Sequence, residues 1–562
     1  MKKFLTKMLC SLLLVAVAFS TFACKKDPNK NKATLYVYSF TSGFGSEWLT
    51  ELISDYEALH ANDKIGGKTG IHVQPTTLNS DVGGGEMKGR DEVVYFLEQQ
   101  DYSSLIDGGY IADITSVVTG ANPYDADGVT LESKMFDEQK NYLGRKDSEG
   151  KVHYYAYPHY LTNFGIVYDV DRFDEQGYYL MKNYNLANGL SNCFLGKTGK
   201  ADGLPKTDGP DQTPNTSDDG LPTTYEEFFM LCDYIANVGG DNPLVWSGAH
   251  RHSYLAHFIN ALATDFEGKE QMRLNYTFDG TAKNLGNVVG GKFQFDTTDT
   301  VIDGTNGAEL ARQAGKYYAI KFYDDLYAKP YIKNDANDLT LFSSNYDHLT
   351  AQEDFLKRGE KRNAMLLDGS WWEMEATGVF DDLASVSDAY SKENKNLGWM
   401  PLPKVTSDQV GSKQTVYDIY YPLCMIKSMP TDSWEYKYAV DFVQFANSQE
   451  QLAQFTQITS AVKSLKYDLS GDQQKALTPY GKSYYNYIKK AEIVFPYDNN
   501  VLFNNNQLKF QSLSTDGKVS PLYNSGDSRG LIEAIEKGVS AETHFGGMYT
   551  YFNSQDYWKS VK

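Results

Sequence analysis

The order of apolar and polar positions along the chain predicts alternating strands and helices. Leu35-Tyr36-Val37-Tyr38-Ser39-Phe40 is rich in β-favouring residues and predicts a strand, with a turn after it at Gly43-Phe44-Gly45-Ser46. From Glu47 to His60, the residues Trp48, Leu52, Ile53, Tyr56 and Leu59 recur near one face at helical spacing. Ile71-His72-Val73 predicts a second short strand, and Gly83-Gly84-Gly85 precedes a further segment, Asp91 to Leu105, that holds an apolar run. This alternation predicts parallel sheets with helices on both faces, which bind ligands at the carboxyl ends of their strands. Residues 178–222 break the pattern: Gly, Asp, Asn and Pro dominate, as in an insertion or a long surface loop. At 562 residues the chain is too long for one compact core, so two lobes are expected.

One apolar run has a different meaning. Lys2, Lys3 and Lys7 precede Leu12-Leu13-Leu14-Val15-Ala16-Val17-Ala18-Phe19, and Thr21-Phe22-Ala23-Cys24 is followed at once by Lys25-Lys26-Asp27-Pro28. The run is short for a bilayer span and has the positive, apolar, small-residue order of an export signal. Cys24 directly after Ala23 resembles a bacterial lipobox, in which the cysteine is acylated and becomes the mature N-terminus. The resemblance implies a leader over 1–23, lipid (palmitate) on Cys24 and a polar tether over 24–33. An ordinary signal peptide cut near Ala23 is the other reading. Both place the protein outside the cytoplasm.

Charge and cysteine content narrow the partners. The formal net charge is −20, and losing the leader's three lysines makes the mature chain more acidic still. Such a surface repels nucleic acid phosphates and anionic headgroups, so neither is expected as a target of the body. Beyond Cys10 and Cys24 only Cys193, Cys232 and Cys424 remain, with no spacing for a disulfide framework or a zinc ribbon. Cys232 and Cys424 lie in apolar patterns and read as core residues.

Four segments carry a resemblance. They are Tyr157-Pro158-His159-Tyr160-Leu161-Thr162-Asn163-Phe164-Gly165-Ile166-Val167-Tyr168-Asp169; Leu221-Pro222-Thr223-Thr224-Tyr225-Glu226-Glu227-Phe228; Ala364-Met365-Leu366-Leu367-Asp368-Gly369-Ser370-Trp371-Trp372-Glu373 with Gly398-Trp399-Met400-Pro401-Leu402-Pro403; and Ala439-Val440-Asp441-Phe442-Val443-Gln444-Phe445 leading to Thr459-Ser460-Ala461-Val462. Their order and spacing resemble the extracellular solute-binding proteins of bacterial sugar transport, the group of maltose-binding protein. The resemblance implies an α/β, two-lobed periplasmic-binding-protein fold (type II) with a ligand cleft between the lobes. Carried over, the first lobe takes residues 34–163 and 410–460, and the second takes 164–409 and 461–562. It also implies a carbohydrate ligand and an ABC importer whose permease subunits and ATPase are separate chains.

Candidate site residues follow from sugar chemistry and from this resemblance. A pyranose lays its C–H face on an aromatic ring and offers a rim of hydroxyls to planar polar groups. Asp368, Trp371, Trp372 and Glu373 place rings and carboxylates within a few residues. The family's Gly-x-Trp segment supplies a stacking ring, which implies Trp371 or Trp372 but not both. Trp246, His250 and Tyr254 lie where a strand end meets a helix start. Phe44 and Glu47 follow the first strand, either at a helix N-terminus suited to polar ligands or in an ordinary turn. Glu98 and Asp101 occupy positions of cleft residues in the family, although Leu97 stands where a stacking tryptophan is usual. Tyr160, Tyr417, Asp418 and Tyr420 complete the set.

Several competing chemistries are weaker. His250, His252 and His257 allow a zinc site, but no Cys or carboxylate falls at suitable local spacing, so no metal or other cofactor is expected. The acidic residues of the 178–222 stretch lack EF-hand spacing. Gly526-Asp527-Ser528-Arg529-Gly530 matches a hydrolase elbow but follows a loop-like segment, and Ser528 reads instead as a helix N-cap. Two functions remain: a lipid-anchored carbohydrate-binding protein without enzymatic activity, or a secreted glycoside hydrolase using paired carboxylates among Asp368, Glu373 and Glu375.

Overall fold

A computed structural model describes residues 29–561, apart from 42, 334–340, 358, 360, 512–513 and 516–517. The leader and Cys24 therefore lie outside the described residues. Strand β1 (Ala33–Phe40) is followed by helix α1 (Glu47–Leu59), which buries Trp48, Leu49, Leu52, Ile53 and Tyr56. Strand β2 (Ile71–Leu78) runs parallel to β1, pairing Ala33 with Ile71 and Phe40 with Leu78. It continues well past Val73, through Pro75. Proline removes a ladder donor, and the strand tolerates this because it is an edge. Strand β3 (Val94–Leu97) lies parallel on the other side of β1, all four side chains buried, as befits a strand covered on both faces. Strand β4 (Tyr157–Pro158) ends this first passage.

The chain then crosses to a second sheet. Strand β5 (Phe164–Asp169) has all six residues buried and pairs antiparallel with β7 and β8 on either side. Strand β6 (Asn242–Val245) leads into the long helix α2 (Arg251–Thr277), which is broken at Gly268. Helix α3 (His348–Leu356) precedes β7 (Asn363–Gly369), and the short helix α4 (Trp372–Glu375) precedes β8 (Leu397–Met400). The sheet order is β6-β7-β5-β8. Residues 178–222 form turns, two single-turn 3-10 helices (Leu186–Asn188 and Leu190–Asn192) and a short α-helix, Gly196–Ala201, with Tyr178, Leu180, Cys193 and Phe194 buried. The Tyr178 hydroxyl donates to Asp241 just before β6, which ties the stretch to this sheet.

After β9 (Thr415–Tyr417) the chain crosses back, and β10 (Leu423–Ile426) inserts antiparallel between β3 and β4. The first sheet thus has the order β2-β1-β3-β10-β4. Helices α5 (Trp434–Ala446) and α6 (Gln449–Thr459) follow before a third crossing toward α7 (Pro479–Lys490). The three crossings meet at one carboxylate. Asp418 accepts from the Thr162 amide and hydroxyl and from the Ser464 hydroxyl, each at 3.1 Å. Cys193, Cys232 and Cys424 are free and buried.

At the hydrolase-like motif the helix begins at Gly530 with Arg529 in the capping position. Ser528 is therefore not the cap. The Asp527 carboxylate accepts from the Arg529 amide at 3.0 Å in the turn ahead of the helix, and no side chain caps the helix itself. Among the described residues no helix is long and apolar enough to cross a membrane.

Candidate functional site

The paired register of β5 and β7 builds one end of the second sheet into a platform. Gly369 lies opposite Phe164, and the Ser370 amide donates to the Asn163 carbonyl at 2.9 Å, so β7 ends beside the first crossing. The next residue is Trp371. Its ring meets the edge of Phe164 at 6.4 Å between centroids and lies at 6.1 Å and 31° to Tyr420, which belongs to the second crossing. It also touches the first lobe. A β-carbon added to Gly43, in the turn after β1, would sit 2.3 Å from Trp371 Cδ1. Only glycine at that position lets the two lobes meet around this ring. Trp371 is 6% exposed.

Carboxylates gather on one side of it. Asp368 is 1% exposed and accepts from its neighbour Gly369 N and from Gln352 Nε2 at 3.1 Å. The same Gln352 nitrogen donates to Glu375 at 2.8 Å. Burial first, and then the charge of Glu375, holds the Asp368 carboxyl well above its ordinary range. Burial likewise pushes Glu375 up to about 7. His348 Nε2 lies 3.4 Å from Glu375, and the His250 ring lies 5.5 Å from that of His348. Burial keeps both imidazoles below their usual range, so both are neutral near pH 7. Tyr254 stacks on His250 at 5.8 Å and meets Phe164 edge-on at 5.0 Å. On the first lobe, the Tyr160 hydroxyl donates to Glu98 at 3.2 Å. Tyr420 feels the charges of both Glu98 and Glu375, so it stands between the two lobes' acids.

The structure thus brings Glu98, Tyr160, His250, Tyr254, Asp368, Trp371 and Tyr420 into one region and places the other candidates elsewhere. Phe44 is fully buried against Tyr160, 4.5 Å away, and Phe455 in the first lobe's core. Glu47 is exposed in the first turn of α1. Asp101 caps a short helix through the Ser104 amide. Trp246 is buried with its indole N–H on the Leu341 carbonyl, 3.0 Å away. Trp372 packs among Phe355, Phe380 and Tyr480 in the second lobe. Glu373 turns the opposite way from Glu375 and accepts from Thr478 at 2.9 Å. Tyr417 is hydrogen-bonded to Tyr276 in the core, and Asp418 is committed to the crossings.

Gly43, His257, Gln352 and His348 join the site without having been singled out for it by sequence. His257, one turn after Tyr254 on α2, directs Nε2 to the Tyr420 hydroxyl at 3.4 Å. His348 and Gln352 are four apart on α3, a spacing that puts both on one face. The three histidines of the zinc alternative do not converge: His252 lies near Arg251 and Glu536 instead. Among the described residues no group of His, Cys, Asp and Glu is arranged to hold a metal. A separate cavity of about 220 Å³, bordered by Tyr168, Trp399, Tyr487 and the turn at 210–218, includes none of the candidate residues.

The sequence matches no family model and no curated protein. Its structure is similar to solved ones over nearly the whole chain. A chitin oligosaccharide binding protein superposes with a TM-score of 0.54 at 16% identity, over 94% of this chain and 99% of that one. A probable secreted solute-binding lipoprotein from Streptomyces coelicolor gives 0.51 at 12% identity, over 93% and 99%. The binding protein RafE, solved with raffinose, gives 0.50 at 13% identity, over 93% and 100%. The chain has the two-lobed, type II fold of these solute-binding proteins, and Trp371 stands where its two lobes meet.

Proposed function

We propose that this protein is an extracytoplasmic carbohydrate-binding protein that closes its two lobes on a sugar and hands it to an ABC importer. The observation that carries this reading is the contact of Trp371, from the second lobe, with the backbone of Gly43, from the first, beside Tyr420 of a crossing. A ring reached from both lobes holds a ligand only when the lobes approach, which is how ligand binding selects the closed form. Flat aromatic faces with carboxylates and an amide at their rim suit the apolar face and hydroxyl edge of a sugar. The structural relatives support the same reading, since their printed names include a chitin oligosaccharide and raffinose. Trp371, Tyr420, Tyr254, Asp368, Glu375 and Gln352 form the ligand surface in this proposal, with Glu98 and Tyr160 facing them.

The anchor is lipid on Cys24, and permease and ATPase are separate partner chains. A hydrolase is the poorer fit. Asp368 and Glu375 are held side by side by one amide nitrogen, whereas hydrolytic carboxylates flank a bond from two sides. The test is thermal unfolding of the mature protein, without Cys24, against a panel of oligosaccharides. A ligand that binds the folded state raises the midpoint by mass action. A rise with one sugar class, and recovery of that sugar intact, is expected. No rise with any sugar, or consumption of the sugar, overturns the reading.

A further inference from the structure

The carboxyl pair beside Trp371 lacks a lysine or arginine partner among the described residues. Buried charges in proteins are paired or hydrogen-bonded, because an unpaired one is costly. Gln352 Nε2 is the donor that reaches both Asp368 and Glu375; Asp368 also accepts from Gly369 N and from the Tyr254 side chain, and no lysine or arginine among the described residues forms an ion pair with either. Two further polar atoms are buried and unsatisfied, one on Gln352 beside the pair and one on His257 behind Tyr420. Gln352 is 0% exposed and its Oε1 has no hydrogen-bond partner; His257 is 3% exposed and its Nδ1 has none. The walls are the rings of Tyr254, Trp371 and Tyr420, whose faces attract cations as well as sugars.

We propose that the ligand is positively charged: an oligosaccharide of amino sugars bearing free ammonium groups, with one nitrogen seated at Asp368 and Glu375 and its ring on Trp371. This rests on the carbohydrate-binding reading above and adds the charge of the substrate class. An ammonium offers three N–H donors, which satisfy both carboxylates and leave one for Gln352 Oε1. The groups facing the pair are His250 and Tyr254 beside and on α2, His348 and Gln352 on α3, Trp371, and Tyr420 from the crossing; none is a fixed cation. Before a ligand binds, burial pushes the pair toward its protonated form, Glu375 up to about 7 and Asp368, which also feels the Glu375 charge, well above its ordinary range. Seating an ammonium charges it, so binding releases protons and strengthens as pH rises from 5.5 toward 7.

The experiment is isothermal titration of the mature chain lacking Cys24 with three probes: the trimer of glucosamine, its fully N-acetylated counterpart, and maltotriose. Acetylation removes the charge and keeps the ring. The free-amine trimer is expected to bind at least about tenfold more tightly than the acetylated one at pH 7, as for a charge-assisted hydrogen bond, with proton release seen in buffers of different ionisation enthalpy. Asp368→Asn and Glu375→Gln, each checked for an unchanged circular dichroism spectrum, are expected to collapse that preference to within about twofold. Equal or tighter binding of a neutral trimer overturns the proposal and leaves the carbohydrate reading standing. Binding by none of the three, nor by any sugar of the wider panel, overturns both.

Discussion

The second lobe's sheet buries carboxylates at both of its ends and neutralises them in different ways. At one end, Asp169 closes β5 with Lys395 Nζ 2.7 Å away, and Asp241 takes a two-pronged contact from Arg172 at 2.6 and 2.8 Å. Burial works against the charge of Asp241, yet the bonds from Arg172, the Tyr178 hydroxyl and the Arg362 amide together outweigh it and hold the carboxyl below its ordinary range. At the other end of the same strands, Asp368 and Glu375 have one shared amide and raised affinities for protons. The first arrangement fixes the fold and leaves nothing for a ligand. The second leaves acids, rings and an amide for the proposed sugar.

Breaking the paired end has the largest expected effect. Arg172→Ala strands a buried aspartate and is expected to cost about 3–5 kcal/mol of unfolding free energy, measured by urea denaturation. At the open end the effect moves from stability to binding. Trp371→Ala is expected to weaken oligosaccharide binding by about 2 kcal/mol or more, roughly thirtyfold, in titration calorimetry. Trp372→Ala, one residue on, is expected instead to cost about 3–5 kcal/mol in denaturation, as for a core ring. Gly43→Ala forces its new methyl into the Trp371 ring, and about 1–3 kcal/mol of overpacking falls on the state in which the lobes meet. Scattering in solution should show a more open molecule, and ligand affinity should drop with it.

The smallest effect tests the acids directly. Carboxyl groups raised in the folded state contribute stability below their unfolded value near 4, and that contribution is lost as pH rises through the folded value, about 7 for Glu375. Asp368→Asn removes one of the pair. It is expected to match the parent at pH 4 and to be more stable by about 1 kcal/mol at pH 8, without ligand. A parent whose unfolding midpoint is flat over that range would show that the two ends of the sheet do not differ in charge.

The alternating pattern was legible where packing and propensity agree, as in β1 and α1. The far half of β2 was not, because Pro75 and the polar residues after it read as a strand's end; only the edge position in the sheet makes them acceptable. The three crossings came from family resemblance and from no local signal. For the proposed site, the family resemblance narrowed the stacking ring to Trp371 or Trp372. Successive helical positions point about 100° apart, so one meets the first lobe at Gly43 while the other enters the core, and which does so depends on β7's register. Gly43 gave no warning of its part, since its importance lies in a ring far away in the chain. Phe44 and Glu47 lie close to it in sequence, yet one side chain turns into the core and the other into water.

The clip at Asp418 has a mechanical consequence. Three chain segments pass between the lobes, and one side chain ties them together near a single point. A body joined that way swings but does not slide, and small twists at the joint become wide arcs at the far rim. The arc that brings Gly43 onto Trp371 is then set by where the pivot sits. Substitutions near the pivot should redirect the swing, whereas those at the rim should change only how firmly it is held shut.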